Sequence, residues 1–226
     1  MPRTCWIRSA HTTARGDHHD HEDPHHDGGE DLEQVLEEGR ERADLHLAGL
    51  DALAVTTSLG RASAVLSGAS AAWVWGLPRP RSSTSTVQLS DPHRWRRGQG
   101  WLMTRASLPD DDVTVRGAYR VTSVARTLVD VARSWSEVHA VAATDAALLR
   151  GLTDRDELGR VLARQEFVPG IPRAVRAVEM ADGRAESWLE TYGRLVFAAL
   201  GLPAFVPQVE LRVDGRLVKV ADGWYP

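Results

Sequence analysis

The chain contains one cysteine, Cys5, and one lysine, Lys219, among 226 residues. A lone cysteine excludes an internal disulfide framework, and it cannot build a cysteine-only zinc site. It agrees with a reducing, cytoplasmic setting. Long apolar runs are missing too. The best stretch, 45–66, is interrupted by His46, Asp51 and Arg61, so no membrane-spanning helix is expected. No apolar core of a secretory signal stands near the N-terminus. Ser, His and Asp nowhere share a nucleophile-elbow context. Gly98-Gln99-Gly100 lacks the strand-glycine-helix setting of a dinucleotide loop. Full disorder, collagen and simple coiled coil are excluded by 42% hydrophobic and 26% charged residues. The length suits one larger domain or two small ones.

What is present is unevenly placed. The net charge of −4 divides into −8 over residues 1–60 and +4 over 61–226. Six of the nine histidines lie between positions 11 and 26, in an acidic stretch with almost no apolar residue. Such a stretch cannot bury enough surface to offset ordering entropy, so residues 1–30 are expected to be unfolded. Their imidazoles could hold a transition metal, but no fixed ligand spacing is visible. Residues 31–60 read as a helical lead-in weakened by Gly39 and Gly49. The 26 arginines fit an Arg- and Ala-rich composition of a GC-rich genome.

From residue 61 the pattern is that of an α/β (α+β) chain. Short strands are expected at 64–66, 84–90, 101–106, 113–115 and 118–121, with a basic loop at 93–98. Ser67 caps a helix that ends at Gly76, and Thr122 caps one over 123–133. Further helices are expected at 137–150, from a capping box of Thr153 and Asp156 to about 165, at 173–181, and at 184–200. The last is amphipathic, with Trp188, Leu189, Tyr192, Leu195, Val196, Ala199 and Leu200 on one side. Asp214-Gly215 is a two-residue hairpin turn that pairs Leu211 with Val218 and Val209 with Val220. Asp222 then shares the face of Val218 and Val220.

Two clusters carry candidate chemistry. A carboxylate at Asp222 on a packed face is costly unless it is paired, solvated or metal-bound. Glu186 and Glu190, four apart, would lie on one side of the facing helix. Converging carboxylates of this kind hold magnesium and activate water for phosphodiester cleavage. The alternative is a plain surface helix in which Glu190 pairs with Arg194. The second cluster is Arg94, Trp95, Arg96 and Arg97, where arginines can meet phosphate and Trp95 can stack on a base. The alternative there is a solvated loop.

Several segments in order resemble a known family. They are Leu66-Ser67-x-x-Ser70-Ala71-Ala72, then Val121-Thr122-Ser123-x-Ala125-Arg126-Thr127-Leu128-Val129-Asp130-x-Ala132-Arg133. Asp145-Ala146-Ala147-Leu148-Leu149-Arg150-Gly151, Ala185-Glu186-Ser187-x-x-Glu190 and Val220-x-Asp222-x-Trp224 follow. The set resembles actinobacterial proteins with a middle region like the AbiEi antitoxin of type IV toxin–antitoxin systems. Many of these continue into a domain similar to very-short-patch-repair endonucleases of the PD-(D/E)xK superfamily. The resemblance implies an antitoxin-like module over 61–183 and the start of a nuclease-like domain over 184–226. Asp222 would be the first metal aspartate, and Glu186 or Glu190 the helix glutamate. Mg2+ would be the cofactor if the chain is active, with DNA, a toxin or another protein as partner and no membrane. The family's usual winged N-terminus is not seen in the acidic first 60 residues. No Asp/Glu-x-Lys occurs, and the sequence stops four residues after Asp222. The expectation is therefore a nucleic-acid-associated toxin–antitoxin protein with a truncated, inactive nuclease part and an unpartnered final hairpin. The alternatives are an endonuclease completed by oligomerisation or a longer gene product, and a non-catalytic protein-binding module.

Overall fold

The structure is a computed structural model that describes residues 5–6, 51–80, 86–203 and 206–224. Most of the expected tail and lead-in, 1–4 and 7–50, lies outside the described residues. So do the first positions of the expected 84–90 strand. Residues 51–59 are helical (α1) and lead into a short strand, β2 (Val65–Leu66). Helix α2 (Gly68–Val74) follows, then β3 (Val87–Asp91), β4 (Arg96–Gly98), β5 (Trp101–Arg105), β6 (Val113–Arg116) and β7 (Tyr119–Thr122). These strands form one mixed sheet in the order β4-β5-β3-β2-β7-β6, with β2·β7 and β3·β5 parallel.

Alternation of side chains gives this sheet two unlike faces. Leu66, Leu89, Met103 and Val121 pair across the strands and are covered by Ala52, Val55 and Leu59 of α1 and Ala71 of α2. Burying each such leucine contributes about 1.5–3 kcal/mol. The opposite face carries Gln88, Ser90, Leu102 and Thr104. The expected basic loop is in part a strand. Arg96 to Gly98 pair with β5, and the Trp101 ring lies where a Cβ on Gly98 would sit, 2.3 Å away. Only glycine leaves room for the indole over this edge strand.

Helices α3 (Val124–Ala132), α4 (Glu137–Leu149), α5 (Arg155–Arg164) and α6 (Ile171–Met180) make a second core around Leu128, Val129, Val141, Leu158 and Ala174. Two caps differ by one residue from expectation. Ser123, not Thr122, caps α3 by accepting from the Arg126 N–H. Thr122 closes β7, and its hydroxyl meets that of Thr127 at 2.7 Å. Asp154, not Thr153, caps α5 by accepting from the Glu157 N–H at 2.7 Å. The shorter carboxylate reaches the third N–H directly.

The C-terminal part departs furthest. Helix α7 (Trp188–Ala199) starts at Trp188 rather than at 184. Its buried positions are Thr191 and Leu195, while Leu189 and Leu200 are about 70% exposed. The expected apolar face is thus only partly covered. Strands β8 (Val206–Val213) and β9 (Arg216–Trp224) form the expected hairpin, with positive φ at both Asp214 and Gly215. A bulge between Leu211 and Arg212 shifts the register, so Val209 faces Ala221 and Leu211 faces Lys219. The expected pairing of Val209 with Val220 is corrected, and with it the register on which the face of Asp222 was reckoned. Strand β1 (Cys5–Trp6) pairs with Trp224 and Gly223, so β9 has a third-strand partner over two residues. The expectation of a hairpin with no third strand is corrected to that extent.

Candidate functional site

The sheet edge presents the first candidate surface. Arg94, Trp95, Arg96 and Arg97 are all exposed, Trp95 by 66%. Arg97 lies opposite Leu102 and so shares the polar sheet face, whereas Arg96 stacks over the Trp101 ring at 5.9 Å. Among the described residues none of the three arginines has a carboxylate partner. The turn leading into them is locked by Asp91. Its Oδ1 accepts from the backbone N–H groups of His93 and Arg94 at 2.8 and 3.1 Å, and its Oδ2 from Ser63 Oγ and Arg61 Nε. Burial pushes the Asp91 carboxyl up, but these donors outweigh it and bring its pKa down to about 2. Sequence reasoning found the arginines and missed Asp91, although an aspartate two residues before a turn is the usual sign of one that accepts from the turn's N–H groups.

The carboxylates proposed for metal are arranged otherwise than expected. Glu186 precedes α7 instead of lying on it, so Glu186 and Glu190 do not stack along one helix side. Glu190 closes the N-terminus of α7 in a variant of the capping box that reaches one residue further back. Its own N–H donates to Ser187 Oγ, its Oε1 accepts from the Ser187 hydroxyl, and its Oε2 accepts from the Glu186 N–H at 3.0 Å. Arg194 turns away from Glu190 to Asp145 and to the Met180 carbonyl. The side chain of Asp222 lies outside the described residues. Among the described residues no three His, Cys, Asp or Glu side chains converge.

Asp145 is a buried anchor instead. It accepts from Thr191 Oγ1 and the Asp182 N–H at 2.6 Å each and from Arg194 at 3.0 Å, tying α4 to α7. Burial nevertheless pushes its carboxyl up. Asp182, by contrast, is held down by hydrogen bonds from Arg184.

The segment Arg126 to Arg133 builds a chain of ion pairs. Arg126, 3% exposed, donates to Asp112 at 2.8 Å, to Asp130 at 3.0 Å and to the Ser107 carbonyl. Arg133 joins Asp130 at 3.4 Å, and Arg164 joins Asp112 from α5. The order is Arg133, Asp130, Arg126, Asp112, Arg164, so cations occupy both ends. Burial pushes the Asp130 carboxyl up against the pull of its two arginines. The chain forms one wall of an open groove of about 710 Å³, whose floor is the polar sheet face of Gln88, Ser90 and Thr104. In the same wall Gln165 is 5% exposed, and neither its Oε1 nor its Nε2 has a hydrogen-bond partner. An unpaired buried polar group costs about 1–3 kcal/mol. The i, i+4 spacing of Arg126 and Asp130 was legible; Asp112 and Gln165, from other elements, carried no local signal.

One family profile, that of the AbiEi antitoxin C-terminal domain, matches residues 62–179, just over half of the chain. Two relatives from Mycobacterium tuberculosis, the uncharacterized proteins MT2308 (strain CDC 1551 / Oshkosh) and Rv2248 (strain H37Rv), are each 38% identical over 95 residues. That stretch is 42% of this chain and 34% of either relative, so the chain spans about a third of the length of the curated relatives it matches. No solved structure gives a significant match. No helix among the described residues is long and apolar enough to cross a membrane.

Proposed function

Because residues 62–179 place the chain in the family of the AbiEi antitoxin C-terminal domain, we propose that it is a nucleic-acid-associated protein of the toxin–antitoxin type. In this reading its basic sheet edge meets the phosphate backbone. The observation that carries this is the exposed, carboxylate-free set of Arg96 and Arg97 on the edge strand and Arg94 in the turn leading into it, beside an exposed Trp95. Residues 62–179 hold sixteen arginines against twelve carboxylates, so the excess positive charge lies in the matched region. Arginine supplies phosphate contacts without sequence reading, and Trp95 can stack on an unpaired base. Charged edge strands also discourage sheet-to-sheet association. That role needs no aromatic side chain held out into solvent. A toxin is the second partner this reading calls for.

Magnesium-dependent cleavage is the alternative carried by Asp222, Glu186 and Glu190. Both Glu190 oxygens serve the α7 cap, and the side chain of Asp222 lies outside the described residues. The nuclease-like reading of 184–226 therefore rests on the resemblance alone.

The test is retention of a random-sequence duplex by the full chain and by Arg94→Ala/Arg96→Ala/Arg97→Ala, with and without magnesium. Retention by the wild type, its loss in the triple variant, and no cleavage support the proposal. Cleavage abolished by Asp222→Ala establishes the endonuclease alternative. No retention at low salt leaves the protein-binding module.

A further inference from the structure

We infer that the groove between the polar sheet face and helices α3 and α5 is a binding site for a nucleotide phosphate. Arg105 and the arginines at the ends of the ion-pair chain, Arg133 and Arg164, would hold the phosphate, and Gln165 would meet the base. This rests on the groove alone, not on the basic edge.

The charge argument comes first. Three arginines share two aspartates in the sequence Arg133, Asp130, Arg126, Asp112, Arg164, which leaves one positive charge over. Only the central arginine is fully enclosed. Arg133 and Arg164 are 26% and 36% exposed at the side chain, and both line the groove. Arg164 commits only Nη2, and Arg133 keeps Nη2 unengaged. Arg105, at the end of β5, lines the same groove with no ion-pair partner among the described residues. The free guanidinium donors therefore lie on one groove, which is the arrangement that receives a phosphate.

Gln165 narrows the ligand. Its amide has a donor and an acceptor side by side, both unpaired and shut off from water. Buried polar groups are nearly always paired, so this one calls for a partner. Inorganic phosphate offers mostly acceptors and no planar donor-beside-acceptor edge that would engage Oε1 and Nε2 together. A nucleobase edge presents a donor next to an acceptor and matches a glutamine amide in a two-bond pair. The side chain must turn outward to make it. The other groove glutamine needs no such partner, because Gln88 Oε1 already accepts from the Ala69 N–H at 2.9 Å. It lies flat because residue 68 is glycine: a Cβ there would stand 2.2 Å from Gln88 Oε1. That keeps this end of the floor clear.

An extended peptide is a poorer fit. The floor strands β3 and β5 are each paired on both sides, so they offer no free backbone ladder. A cavity of about 710 Å³ is of small-molecule size. Leu102 and Val168 give it apolar surface against which a base can lie.

The experiment is calorimetric titration of the full chain with AMP, GMP, CMP and UMP, with inorganic phosphate, with adenosine, and with a 5′-phosphorylated single-stranded oligonucleotide. One mononucleotide is expected to bind at least about tenfold more tightly than phosphate, as two added paired polar groups imply, and AMP more tightly than adenosine, which lacks the group the arginines hold. Arg105→Gln and Arg164→Gln should weaken nucleotide and phosphate together. Gln165→Leu should weaken the nucleotide about tenfold, leave phosphate unchanged, and leave the melting temperature equal or higher. Tighter binding of the oligonucleotide identifies a strand end as the source, and tighter binding of the mononucleotide identifies a free nucleotide. The inference is overturned if no mononucleotide binds, if phosphate binds as tightly, or if Gln165→Leu and the arginine variants bind like the wild type. Because Arg94, Arg96 and Arg97 stay intact throughout, failure here is separable from failure of the basic edge.

Discussion

Replacing Arg126 with methionine should be the most damaging single change to the body of the molecule. Arg126 is 4% exposed at its side chain and bridges Asp112, 1% exposed, and Asp130, 11% exposed. Methionine keeps the apolar stem and removes the charge. Removing one partner of a buried pair costs about 3–5 kcal/mol, because the other charge stays buried. Here each aspartate keeps one arginine, Arg164 or Arg133, so the low end, about 3 kcal/mol, applies. For a chain of this size that lowers the melting temperature by about 6–12 °C. The loss should also depend on pH. Burial already raises the Asp130 pKa, and loss of a cation raises it further. A folded-state pKa above the unfolded one gives stability that is full below the unfolded value and lost as pH rises through the folded value. The deficit relative to wild type should therefore be smallest near pH 4 and largest near neutrality. Thermal and urea denaturation followed by circular dichroism at both pH values measures it. A deficit below about 1 kcal/mol, or one independent of pH, would refute the reasoning.

Two further outcomes follow from the other buried carboxylates. Asp91→Ala should free the turn at His93 and Arg94, weaken DNA retention without removing an arginine, and cost about 2 kcal/mol near neutrality. The Asp91 pKa is depressed to about 2, so its contribution is present above the unfolded value and disappears as pH falls from about 4 toward 2. Acid titrations of wild type and variant should converge there. Asp145→Ala should release α7 from α4, seen as faster amide exchange in 188–199 with little change in α3, because Thr191, Asp182 and Arg194 all lose their acceptor.

The middle of the fold was legible because its signals are local. Hydrophobic alternation located β5, β6 and β7, and the Asp214-Gly215 pair located the final turn at those two residues. The caps moved by one residue because Ser, Thr and Asp neighbours compete for the same N–H, and reach decides between them. The start of α7 was misplaced because Ala185-Glu186 continues a helical pattern, while Ser187 with Glu190 makes a better cap. A bulge leaves no mark in an alternating sequence, so the register around Asp222 was out of reach. For the sites, clustered arginines were visible along the chain. The Arg126 ion-pair chain joins elements up to 52 residues apart, and Gln165 stands out only once its missing partners are known.

The claim that the basic edge associates with nucleic acid is tested most directly by the salt dependence of duplex binding. Wild type and Arg94→Ala/Arg96→Ala/Arg97→Ala should be titrated with the same duplex over a range of salt concentrations. If the three arginines contact phosphate, the slope of log K against log salt should become shallower by about 2.7 in the variant, at about 0.9 per contact. Equal slopes for the two proteins, or wild-type binding that does not fall with salt, would contradict the account.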